Sequence, residues 1–254
     1  MILGIKVKKE TTTANLFAIF FVPFLMAAKY GFLQVQITFL LESEDYFAIN
    51  PSEVGRKNSY LIFWQSGIAL CFLPFIGYLY EFLGRRLVIV MCLFASVALF
   101  LLVPFTAPNY YFLVIVKSLT YLLGTIVDGH PLIPDYVKSE SRGRAVSCAV
   151  LGSILGEVFS MTVLIGLSID MRLDESFVFV AIICGGLTCL IPMIIREPVI
   201  KPPEPELNQN SGTGVTLTKK EKVKILTQEA IDLIKNDGRY VLCFMGVMLT
   251  RLMV

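Results

Sequence analysis

The stretch "GYLYEFLGRR", residues 77–86, sets one carboxylate and two arginines between two glycines in a chain otherwise sparing of charge. Apolar runs flank it, at 59–80 upstream and 87–105 downstream. A helix rises about 1.5 Å per residue, so each run approximately matches the about 30 Å hydrocarbon layer of a bilayer. A short charged turn between two such runs reads as the place where the chain leaves the membrane and turns back into it.

The rest of the chain agrees with that reading. Its 254 residues are 56% hydrophobic and 17% charged, whereas a soluble domain carries about 25% charged residues. Further apolar segments at 15–41, 110–133, 145–169 and 176–195 bring the expected spanning helices to six. The first is too long for a signal-peptide core and lacks a small-residue cleavage site. A seventh apolar segment starts at 240–254 and, at about 15 residues, falls short of a crossing. The expected organisation is an N-terminus at 1–14, a bundle at 15–197, a linker at 198–239 and the start of helix seven at 240–254. Within the linker, "PVIKPPEPELNQNSGTG" has too little apolar surface for a core. Thr218 and Glu221 then form a capping box, and Val223, Leu226, Ala230 and Leu233 share one helical face. This amphipathic helix lies on the membrane surface, packs on the bundle or stands solvated in the linker.

Positive charge gives the orientation. Lys6, Lys8 and Lys9 precede the first helix, Arg85 and Arg86 follow the second, and Lys138, Arg142 and Arg144 follow the fourth. The opposite loops hold only Arg56, Lys57 and Arg172, with Glu42, Glu44 and Asp45 beside them. Lysine and arginine stay on the cytoplasmic side, so the N-terminus is expected inside. A net charge of +2 spread in this way excludes a nucleic-acid partner. The six cysteines all fall in apolar runs without metal-ligand spacing, and they read as small buried hydrophobes. No cofactor or metal site is expected, and no HExxH, GxSxG, phosphate-cradling loop or dinucleotide fingerprint marks an enzyme.

Gly77, Leu79, Glu81, Gly84, Arg85 and Arg86 resemble the signature of the major facilitator superfamily between its second and third helices, with Glu81 in place of the usual aspartate. The loop "PDYVKSESRGRA" carries Asp135, Arg142, Gly143 and Arg144. It is similar to the acid followed by Arg-Gly found between helices four and five of sugar porters and organic-ion transporters. Here Asp135 replaces glutamate and Lys138 replaces a proline. Arg196, Glu197 and Pro198 are a faint echo of the motif after helix six. The resemblance implies an all-α membrane protein: the six-helix N-terminal bundle of the fold, built as a 3+3 inverted repeat. It also implies that the two polar turns latch a cytoplasmic gate against the second half of the molecule.

Ionisable groups inside the bilayer mark functional sites, because insertion costs about 2.5–3.5 kcal/mol for one at a helix centre. Lys29, Lys117, Asp128 and Glu157 qualify, with the single histidine, His130, at the inner edge. Lys29 and Glu157 are level in their helices, and with helix one beside helix five, as the resemblance implies, they are expected to pair. Gly124, Gly129, Pro131 and Pro134 weaken helix four, leaving backbone carbonyls for a ligand. Pro23 and Gly31 interrupt helix one in the same way. A central cavity is expected between Lys29, Gln34 and Gln36 on one side and Lys117, Tyr121, Asp128 and His130 on the other. In helix five, "GSILG" (152–156) spaces two glycines one turn apart for close packing. Two functions compete at this level: a secondary transporter of a small polar organic solute, with or without proton coupling, and a scaffold or accessory subunit of half-transporter fold. A seven-segment chain lacks an opposing half, which a longer polypeptide or a second copy would supply.

Overall fold

The computed structural model describes residues 5–8, 11, 13–128 and 132–195. All of them belong to one unit, Met1–Pro198. The amphipathic linker helix, the helix-seven segment, Arg196 to Pro198 and His130 lie outside the described residues.

The apolar runs become helices: α1 Thr13–Glu42, α2 Pro51–Leu83, α3 Arg85–Leu102, α4 Tyr110–Asp128, α5 Ile133–Tyr136, α6 Arg142–Phe159, α7 Ile165–Ser168, α8 Leu173–Thr188 and α9 Ile191–Ile194. Five helical segments are long and apolar enough to cross a membrane. Helix α2, bent by 60° between Pro51–Leu73 and Phe75–Leu83, makes a sixth only if its two parts count as one span. Pro74 stands at that break, and a proline gives the helix no N–H and so opens its hydrogen-bond ladder. Residues 142–144, expected in a loop, form instead the first turn of α6.

Helix α1 runs through the middle of the bundle and packs most extensively along α6, while α4 packs along α2 and α3, and α3 meets α8. Gly152 and Gly156 make the α1–α6 seam. A methyl on Gly152 would overlap the Phe20 carbonyl, and one on Gly156 would overlap the Phe24 carbonyl and stand 3.1 Å from Ala27 Cβ. The glycine spacing read from the sequence therefore brings two backbones together. Phe24 and Phe159 fill the seam beyond it, with ring centroids 5.6 Å apart.

Two apolar clusters stack along α1. One holds Ala18, Val22, Met26, Ile89, Val127, Tyr136 and Ala145, towards the N-terminal end of α1. The other holds Phe32, Ile37, Leu41, Phe100, Val116, Leu164 and Phe177. At the far end, Tyr46 clasps the start of α8: its hydroxyl donates to Asp174 Oδ1 at 3.1 Å and accepts from the Asp174 amide at 3.2 Å. At the near end the only β-pairing among the described residues is an antiparallel bridge between Val7 and Val137. The expectation that every cysteine is buried fails at Cys71 and Cys189, which are exposed; the five described cysteines are free thiols.

Candidate functional site

Polar side chains gather at two levels, a turn cluster at the near end of the bundle and a belt between the two apolar clusters.

The near-end cluster starts at Gly84, which ends α2 and begins α3 with φ 86° and ψ 145°. A side chain there would be strained, so glycine is required. The sharp reversal sets Arg85 and Arg86 at the first turn of α3. Arg85 forms an ion pair with Asp135 on α5, the two side chains being 40% and 18% exposed. Arg86 Nη2 donates to the Pro192 carbonyl on α9 at 2.9 Å. The two polar turns singled out in the sequence are thus joined to each other, although they are 50 residues apart. Glu81 and Gly77 sit differently. Glu81 is exposed and makes no ion pair among the described residues, and a Cβ on Gly77 would meet nothing within 4 Å. Gly143 also faces open space, and Arg142 and Arg144 are exposed on the first turn of α6.

The belt consists of Lys29, Ser96, Lys117, Ser118, Thr120 and Ser160, every one at most 2% exposed. Lys29 Nζ donates to Ser96 Oγ and lies 3.5 Å from Met26 Sδ. Ser96 Oγ in turn donates a hydrogen bond to the Leu93 carbonyl at 2.8 Å. Lys117 Nζ reaches Asn58 Oδ1 at 3.4 Å. Ser118 and Ser160 keep buried hydroxyls without a hydrogen-bond partner among the described residues. An unpaired buried hydroxyl costs about 1–3 kcal/mol, so stability alone does not account for this belt. Ser160 also opens a single π-helical turn, Ser160–Leu164, of a kind frequent at functional sites.

The expected Lys29–Glu157 pair is absent. Their level is right, since a Cβ on Gly31 would lie 3.6 Å from Glu157 Cα. Direction decides the outcome: two residues along a helix is a rotation of about 200°, so with Gly31 on α6, Lys29 points away to α3. Glu157 is exposed, as are Gln34 and Asp128, while Gln36 is buried. The belt therefore holds the two lysines, and the acids and Gln34 stand on the bundle surface. Of the weakened end of helix four, Gly129 and Pro131 lie outside the described residues. Within α4, described over Tyr110–Asp128, two carbonyls are taken by tyrosines: Tyr30 donates to the Thr120 carbonyl and Tyr80 to that of Ile126. Tyr121 packs edge-on to Tyr30, with centroids 5.9 Å apart.

Several of these partners were missed in the sequence. Ser96, Tyr30 and Tyr80 are ordinary polar residues within apolar runs and Asn58 precedes one, so nothing in the sequence marks them. Pro74 carried a plain signal, a proline in mid-span.

No curated protein matches the chain. The family model of the Major Facilitator Superfamily matches residues 12–253, nearly the whole chain. With apolar helices of spanning length and the Gly84 turn in place, the chain is a multi-pass integral membrane protein and belongs to the Major Facilitator Superfamily, a family of membrane transporters.

Proposed function

We propose that this chain forms the N-terminal six-helix half of an alternating-access carrier for a small polar organic solute, a sugar or organic ion, with its N-terminus in the cytoplasm. The observation that carries this reading is the Arg85–Asp135 pair, which ties the α2–α3 turn to the segment between α4 and α6. A rocking half must move these two turns together, and an ion pair between them makes them one body. The placement of Asp135 ahead of Arg142 and Gly143 supports the sugar-porter and organic-ion branch. The packing of α1 along α6, mirrored by α4 along α2, supports a 3+3 repeat, with α2 as one bent crossing. Lysines and arginines at the Gly84 end support a cytoplasmic N-terminus.

Gln34, Asp128 and Glu157 are exposed polar side chains on largely apolar helices, and we assign them to meeting solute or a coupling proton. Lys29 and Lys117, at mid-depth, set a positive potential behind them. Glu81 and the open face at Gly77 are left for the second half of the carrier, in the same polypeptide or in a second copy.

The test is uptake by the complete polypeptide in vesicles, screened with sugars, carboxylates and organic cations. One class is expected to accumulate inside, and Asp128→Asn or Glu157→Gln is expected to lower its uptake by tenfold or more at unchanged membrane expression. Both variants transporting like the parent would remove these acids from the site. A correctly inserted protein that moves none of the three classes would overturn the transport reading.

A further inference from the structure

Asp135 sits on α5, a helix of four residues, and isolated helices shorter than about 12–15 residues are marginal on their own. Its position has to be held by other parts of the chain. Residues 5–8 supply that hold. Ile5 is buried in the same cluster as Tyr136 and Val137. Val7 faces Val137 across the antiparallel bridge, closed by the Lys8 amide donating to the Tyr136 carbonyl at 3.0 Å and the Lys138 amide donating to the Lys6 carbonyl at 3.1 Å.

Side chains reinforce this bridge. The Lys6 amide donates to Ser141 Oγ at 3.1 Å and Lys6 Nζ to Glu140 Oε2 at 2.7 Å. Lys8 Nζ donates to the Pro134 carbonyl at 2.8 Å, and Thr11 Oγ1 to that of Tyr136 at 3.1 Å. The exposed Lys6–Glu140 pair adds little. Ile5 and the two backbone bonds fix the register just after Asp135, and Lys8 Nζ on the Pro134 carbonyl holds the residue before it.

We propose that residues 5–8 are a strap that positions Asp135 on Arg85, so that the joining of the two polar turns depends on docking of the N-terminal segment. The inference rests on the reading of that pair as part of the gate. Ile5, Val7 and Lys8 are positioning residues in it, acting through Asp135. When the strap is off, the 132–141 segment loosens and Asp135 leaves Arg85. The α2–α3 turn, held then by Arg86 on the Pro192 carbonyl, loosens as well, although no strap residue bonds to it in any hydrogen bond or ion pair described above.

Hydrogen–deuterium exchange on the full chain in lipid nanodiscs tests this without a transported solute. Lys8→Pro removes the bridging N–H and alters no buried side chain, since Lys8 is exposed. Lys8→Ala keeps that N–H and separates the backbone bond from the side chain. Ile5→Asp removes the apolar anchor, and Ile5→Val is its conservative control.

For Lys8→Pro and Ile5→Asp, exchange is expected to rise about tenfold in peptides covering 136–141 and at least threefold in those covering 84–90. Lys8→Ala and Ile5→Val should stay near the parent. In an Asp135→Asn background the 84–90 peptides should already be fast, with Lys8→Pro adding nothing. Faster exchange at 136–141 with none at 84–90 would overturn the proposal, as would additive effects in the Asp135→Asn background or no change in either region. Failure of every uptake assay would sink the transport reading and leave this result standing.

Discussion

Asp135→Lys is expected to cut uptake by at least tenfold at normal membrane expression, and Arg85→Asp in the same chain is expected to recover a substantial part of it. The pair is partly buried, with 40% of Arg85 and 18% of Asp135 exposed. Exposed ion pairs contribute about 0–1 kcal/mol and breaking a buried one costs about 3–5 kcal/mol, so this one falls between, at about 1–3 kcal/mol. Each 1.4 kcal/mol is a factor of about ten in an equilibrium. Losing the pair therefore shifts the joined and separated states by about 5- to 100-fold, and two facing cations add repulsion. The reversed pair is favourable in its own right. Residue 85 is the first of α3, where the positive end of the helix dipole favours an acid over an arginine. Uptake measured for the parent, both single variants and the reversal decides the matter, and a reversal as inactive as Asp135→Lys would mean that the charges act separately.

Gly156→Leu is expected to abolish assembly of the bundle, and Gly156→Ala to destabilise it by about 1–3 kcal/mol, the usual cost of overpacking. The obstacle is backbone: the Phe24 carbonyl carbon lies 3.0 Å from the position of the added Cβ. A side chain can rotate away, but here α1 as a whole has to withdraw from α6. Gly152→Ala meets the Phe20 carbonyl in the same way. Gly166→Ala is the control. Nothing lies within 4 Å of it, and alanine is the better helix former by about 1 kcal/mol. Thermal unfolding in detergent should place both seam variants well below the parent and Gly166→Ala at or above it. Equal melting of Gly152→Ala, Gly156→Ala and the parent would show that the seam is looser than described.

The parts of this structure that depend on one helix at a time were legible in the sequence. Hydropathy located the apolar runs, the two glycines at 152 and 156 marked a close seam, and Gly84 marked the reversal. Parts that depend on which face meets which neighbour were not. Depth along an axis placed Lys29 level with Glu157 correctly, but the about 200° between Lys29 and Gly31 sends the lysine to Ser96, and nothing in either helix alone reveals the partner's direction. Counting lysines before α1 explained Lys6 and Lys8 as flanking charge. Their pairing with residues 136–141 joins positions about 130 apart in the chain, and a single β-bridge leaves no periodic pattern to read. The bend in α2 has its signal in Pro74, although the run around it is apolar throughout.

The most direct test is thiol labelling of single cysteines introduced at Glu44, Arg86, Arg142 and Asp170 in a chain freed of its own cysteines. It turns on whether bent α2 crosses the bilayer, which sets the leaflet of every later turn. A membrane-impermeant maleimide should label positions 44 and 170 in intact cells, and positions 86 and 142 only after permeabilisation. Labelling of position 86 from the same side as position 44 would make α2 a re-entrant segment and contradict the account.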